Sequence, residues 1–81
     1  MQKLKSILSI AGSDSSGGAG IQADIKTITT LGGYAASVIT AVTSQNTQGV
    51  QGIHDSPLSV IKSQIKSVID DIDVRVIKTG M

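Results

Sequence analysis

From position 11 to position 20 the chain reads Ala-Gly-Ser-Asp-Ser-Ser-Gly-Gly-Ala-Gly, without one bulky side chain. Such a stretch cannot build a core, so it must be a loop whose main surface is its own backbone. Glycine there permits positive φ and lets other atoms come close to the main chain. The flanks have different periods. Residues 4–10 form a short run rich in apolar residues and bounded by Gly12, which predicts a buried strand. After Gly20, the residues Ile21, Ile25, Ile28 and Leu31 recur at helical spacing, with Gln22, Lys26 and Thr29 facing elsewhere. Asp24 is expected in the first turn, where a carboxylate suits the helix dipole. Gly32-Gly33 is expected to stop the helix.

The order continues in the same manner. Residues 34–43 are small and β-branched, and predict a second strand buried on both sides. Residues 44–49 read as a polar loop at its end. Residues 50–54 read as a weak strand or extended connection. Ser56-Pro57 predicts a helix start, with Ser as N-cap and Pro at the first helical position. Leu58, Ile61, Ile65, Val68, Ile69 and Ile72 make one apolar stripe, with Lys62, Lys66 and Asp70 outside it. Residues 74–78 predict a third main strand. Strand, loop, helix, strand, helix, strand implies an α/β fold with a mainly parallel sheet and right-handed crossovers.

Composition narrows the functions. Tyr34 is the one aromatic residue, which argues against base-stacking nucleic-acid readers. Seven Lys and Arg face six Asp and Glu, so no basic field attracts phosphate backbones or anionic lipid. There is no cysteine, hence no disulfide, thiolate metal site or cysteine nucleophile within these 81 residues. The apolar run after Lys5 is too short for a signal segment, and nothing approaches the ~20 apolar residues of a membrane span. A cytoplasmic location is the expectation, with neither nucleic acid nor membrane as partner.

Ligands of open α/β sheets bind beyond the carboxyl ends of the strands. Three ends stand out: the Gly-rich loop, residues 44–49 and residues 79–81. They should converge on one crevice. The loop itself is open to several readings. No Gly-Lys-Ser/Thr follows, so it is not a phosphate loop of that kind. Gly18-Ala19-Gly20-Ile21-Gln22-Ala23 matches a dinucleotide pattern, but the turn is too long and no acidic residue stands ~20 positions on. A backbone cradle for a small polar molecule at a helix N-terminus is the third reading. A plain strand-to-helix connector is the fourth.

Residues 11–24 resemble the N-terminal signature of bacterial hydroxymethylpyrimidine/phosphomethylpyrimidine kinases, thiamine-biosynthesis enzymes of the ribokinase-like superfamily. Residues 38–47, Val-Ile-Thr-Ala-Val-Thr-Ser-Gln-Asn-Thr, and Lys78-Thr79-Gly80-Met81 resemble the next two landmarks, in order and at fitting spacing. The resemblance covers essentially the whole chain. It implies part of a ribokinase-like, Rossmann-like three-layer fold. It implies transfer of the γ-phosphoryl of ATP, with Mg2+, to the hydroxymethyl group of an aminopyrimidine and then to its monophosphate. By the same resemblance Gln45 would pair with the pyrimidine edge, since an amide offers both a donor and an acceptor. Ala19 and Gly20 would offer main chain to the substrate. Asp24 would sit near the hydroxymethyl end, the one candidate for a catalytic part, and Met81 would flank the ring. Ser44 stands where the family often has Ala. No metal ligands are expected within the chain.

Plainer roles stand beside these. Gln45 alone could be a solvated loop residue, Asp24 a helix-start charge, and Asp14 a turn former through its own side chain. The lone His54 reads as a surface residue, and Asp70-Asp71-Ile72-Asp73 as a solvated helix end. The family's anion hole and most of its ATP site lie further toward the C-terminus. Residues 1–81 are therefore expected to be the N-terminal, substrate-side portion, inactive alone, with a complementing C-terminal chain or a second copy as partner. The alternatives are a pyridoxine/pyridoxal kinase of the same superfamily and a non-catalytic remnant acting as an interaction module.

Overall fold

The structure, a computed structural model, describes residues 4–80. Strand β1 (Ser6–Asp14) is followed by helix α1 (Gly20–Thr30), β2 (Tyr34–Asn46), β3 (Gly49–Asp55), α2 (Leu58–Asp71) and β4 (Val74–Thr79). The strands form one sheet in the order β3-β2-β1-β4. β1 pairs in parallel with both β2 and β4, while β3 runs antiparallel along β2. The crossover β1-α1-β2 steps one way across the sheet, and β2 to β4 returns over β1. Right-handed connections in opposite directions place α1 and α2 on opposite faces.

The central strand explains this layering. Ser9 faces α1, where its hydroxyl donates to Asp24. Strand alternation turns Leu8 and Ile10 to the other face. Ile10 lies in register with Val38, and both Leu8 and Val38 are wholly buried. Each such side chain contributes roughly 1.5–3 kcal/mol relative to exposure. α1 packs on β1 and β2, with Ile21 buried, and α2 packs on β2.

Gly32 and Gly33 do end α1. Gly32 has φ of 88°, its N–H donates to the Thr29 carbonyl, and the Gly33 N–H donates to the Ile28 carbonyl. These two bonds consume carbonyls that the helix end would otherwise leave unpaired.

Several boundaries differ from expectation. β1 does not stop at Ile10. It runs on through a register shift between Ala11 and Ser13, pairing Ser13 with Val42 and Asp14 with Thr43. The start of the Gly-rich block is therefore sheet, and the loop proper is residues 15–19. β2 likewise continues through Ser44 and Gln45, because β3 folds back against it as a hairpin. β2 is not buried on both sides; only Val38 is buried, and beyond Ala41 exposed and half-buried residues alternate. Asp24 is not in the first turn of α1, which contains no acid. Ser56 does not cap α2: the N-cap is Pro57. The Ser56 hydroxyl instead donates to the Ile39 carbonyl.

That carbonyl lies where β2 has run out of β3. The Gln64 amide of α2 fills the gap: Ile39 N–H donates to Gln64 Oε1 at 2.9 Å, and Gln64 Nε2 donates to Ile39 O at 3.0 Å. One side chain thus substitutes for a missing strand residue and satisfies both backbone groups.

Candidate functional site

The Gly-rich loop is organised by Asp14 at the tip of β1. Its carboxylate accepts from the Ser16 N–H at 2.8 Å, the Ser16 hydroxyl at 2.7 Å and the Gly18 N–H at 3.1 Å. Its carbonyl accepts from the Gly17 N–H. The turn-former reading of Asp14 describes this geometry. Lys26 of α1 donates to the Gly17 carbonyl and pins the loop from the other side. Gln22 clamps the loop's two ends: Asp14 N–H donates to its Oε1, and its Nε2 donates to the Ser13 hydroxyl. At Gly20, with φ of 60°, a Cβ would stand 2.2 Å from the Gly12 carbonyl oxygen. Glycine is what lets α1 begin this close to β1.

The second strand end meets the first through Ser15. Its hydroxyl donates to the Gln45 carbonyl at 2.6 Å and accepts from the Gln45 N–H at 2.7 Å. Thr43 donates to the Ser13 carbonyl, and Gln45 Nε2 donates to Thr43 Oγ1, each at 2.8 Å. Gly12, Ser13, Asp14, Ala19, Gly20, Thr43 and Gln45 line an open hollow of about 170 Å³. Ala19, the N-cap of α1, offers no side-chain cap, so the helix's first N–H groups stand beside this hollow without one. Larger depressions lie at the opposite end of the sheet, one of about 500 Å³ along Leu4, Lys5, Asp73, Arg75 and Val76. They lie away from the strands' carboxyl ends, where open α/β sheets bind ligands.

Of the residues singled out from sequence, Ala19, Gly20 and Gln45 share the hollow. Asp24 does not line it. Ser9 donates to its Oδ2 at 2.6 Å, and Lys78 of β4 reaches both oxygens at 3.0 and 2.9 Å. The third strand end adjoins β1, where the Gly80 N–H donates to the Ile10 carbonyl. Met81 lies outside the described residues. His54 is exposed on β3, Asp70 pairs with Lys66, and Asp73 pairs with Arg75. Sequence reasoning missed Ser13, Ser15, Gln22, Lys78 and, above all, Thr43. No local signal marked Thr43, because a strand ending at residue 43 puts Gln45 in a loop; only with β2 running on to Asn46 do residues 43 and 45 share a face.

Both carboxylates are held below the ordinary value of 3.8. For Asp14 the Ser16 hydroxyl is the chief cause, helped by N–H groups of Ser16, Ala19 and Gly18 and opposed by burial. For Asp24 the Ser9 hydroxyl comes first and Lys78 second, again against burial. A depressed folded pKa means stability that is present above pH 3.8 and lost as pH falls through the lowered values. The urea midpoint should therefore hold near neutral pH and drop on acidification below about 3.8. In the double variant Asp14→Asn, Asp24→Asn that acid limb should flatten. Identical limbs in the two proteins would contradict this account.

A mainly parallel sheet with a glycine-built cradle at its strand tips makes this an α/β protein with a ligand hollow beyond the carboxyl ends of its strands, and the solved kinase structures that superpose on it make the fold ribokinase-like. The sequence profile described as phosphomethylpyrimidine kinase matches residues 14–81, and the chain belongs to that family. It is 59% identical over 75 residues to the hydroxymethylpyrimidine/phosphomethylpyrimidine kinase of Mycobacterium leprae, covering 93% of this chain and 27% of that protein. It is 59% identical over 76 residues to the thiamine biosynthesis bifunctional protein ThiED of Geobacter sulfurreducens, covering 94% of this chain and 16% of that one. Among solved structures, phosphomethylpyrimidine kinase from Clostridium difficile superposes with a TM-score of 0.92 at 56% identity, over 95% of this chain and 33% of that chain. Pyridoxal kinase from Staphylococcus aureus, in complex with AMP-PCP, superposes at 0.88 with 37% identity, over 99% of this chain and 29% of that one. The chain spans 14–28% of the length of such curated relatives.

Proposed function

We propose that residues 1–81 are the N-terminal, substrate-side portion of a hydroxymethylpyrimidine/phosphomethylpyrimidine kinase of thiamine biosynthesis. The observation that carries this is the hollow shared by Ala19, Gly20 and Gln45 at the carboxyl end of the sheet. Gln45 holds the edge of a flat nitrogen heterocycle, and main chain at Ala19 and Gly20 faces the same guest. Asp24 belongs to the hydroxymethyl end, but both its oxygens are already bonded to Ser9 and Lys78. Its part is to fix α1 against β1 and β4 rather than to remove a proton.

In the first transfer the substrate hydroxymethyl oxygen bonds to the γ-phosphorus of ATP, the bond from that phosphorus to the β,γ-bridging oxygen breaks to release ADP, and the hydroxyl proton passes to a base or to solvent; in the second a phosphate oxygen of the monophosphate is the acceptor. Positioning and charge stabilisation carry such a step. This chain's residues supply the positioning of the acceptor. Among the described residues no group of three or more His, Cys, Asp or Glu could hold a metal ion. By the family resemblance, most of the site for ATP and Mg2+ belongs to polypeptide beyond residues 1–81. No helix among the described residues is long and apolar enough to cross a membrane.

The test compares substrates. Given ATP, the full-length polypeptide should phosphorylate 4-amino-5-hydroxymethyl-2-methylpyrimidine and its monophosphate at higher kcat/KM than pyridoxal. A preference for pyridoxal would replace this reading with that of a pyridoxal kinase.

A further inference from the structure

The Thr43 hydroxyl has a single proton. The Ser13 carbonyl can only accept, so the bond between them consumes that proton. Thr43 Oγ1 is then an acceptor toward Gln45, and the atom of the Gln45 amide beside it must be the nitrogen. One N–H of the amide is thereby committed. Oε1 and the other N–H remain for a guest, in that fixed order. Turning the amide over would set Oε1 against Thr43 Oγ1, and Thr43 could satisfy it only by releasing Ser13. The backbone of Gln45 cannot swing to compensate, because Ser15 holds both its N–H and its carbonyl.

We infer that Thr43 is a positioning residue that fixes which way the Gln45 carboxamide faces its ligand, and so selects the hydrogen-bond pattern of the ring edge. The chemistry selected is a ring edge that donates and then accepts, as an amino group beside an unprotonated ring nitrogen does. A 4-oxo ring, with a carbonyl beside a ring N–H, presents the reverse order and meets the amide donor to donor and acceptor to acceptor. The inference rests on the pyrimidine-binding role proposed for Gln45.

Titration calorimetry on the full-length polypeptide, with 5-hydroxymethyl-2-methylpyrimidine bearing either a 4-amino or a 4-oxo group, tests it. The natural sequence should favour the amino ring by about tenfold or more. Thr43→Val keeps the shape, removes the hydroxyl and should shrink that ratio by about three- to tenfold. Thr43→Ser should restore it. A ratio taken within one variant cancels any general loss of affinity, which a merely structural role for Thr43 would cause. An unchanged ratio in Thr43→Val overturns the inference. If Gln45→Ala leaves both affinities unmoved, the pyrimidine-edge reading itself fails, a distinguishable result. Should Thr43→Val not fold, the unsubstituted protein decides: the Gln45 side-chain NH2 should exchange with solvent more slowly than that of exposed Gln48. Equal rates would overturn the assignment.

Discussion

Gly20→Ala should cost several kcal/mol of stability and abolish ligand binding at the hollow. The added Cβ would lie 2.2 Å from the Gly12 carbonyl oxygen, which is backbone and cannot rotate away. Gly20 also has φ of 60°. The overlap alone costs about 1–3 kcal/mol where neighbours can shift, and the left-handed backbone adds about 1–2 kcal/mol. Domains are stable by only about 5–15 kcal/mol, so the sum is a large share. Gly32→Ala is the matched control. Its φ is 88°, but nothing lies within 4 Å of the new Cβ, so only the conformational cost applies. Urea midpoints of the two variants separate the contributions. Equal losses would mean that close approach of α1 to β1 is not what Gly20 provides.

The second large effect falls on binding. Gln45→Ala should weaken pyrimidine binding by ~1–3 kcal/mol, roughly five- to 150-fold in Kd, with ATP affinity nearly unchanged. The substitution is clean for a structural reason. Ser15 grips Gln45 by its main chain, and alanine keeps both of those bonds. The loop and the strand end therefore stay joined, and only the carboxamide is lost. Calorimetry with the pyrimidine and with a nonhydrolysable ATP analogue reads both affinities. A substrate Kd that does not move removes Gln45 from the site.

α1 shows what could be read without coordinates. Its isoleucines at helical spacing and its paired glycines encode start, face and stop within a dozen neighbouring residues. β1 shows the limit. Ser13 and Asp14 look like loop by composition, yet they are strand because Val42 and Thr43 happen to lie beside them. Asp24 marks the same limit in electrostatics. Nothing near it in the chain announces Lys78, which lies 54 positions away. Ser56 has the right neighbours for a helix cap and spends its hydroxyl on Ile39 instead.

Local order along the chain thus settled the succession of strands and helices and the glycine stretch, because propensity and period act over a few residues; Gln45 was singled out by the resemblance of residues 38–47 to a family landmark. Folding in three dimensions settled the antiparallel edge, the length of β1, the clamp of Lys78 and Ser9 on Asp24, and the relay from Gln45 through Thr43 to Ser13. The bonds of Ser9 and Lys78 to Asp24 and of Thr43 to Ser13 join groups 15 to 54 positions apart, and even the short-range ones depend on how far each strand runs, so their partners are chosen by which strand lies beside which.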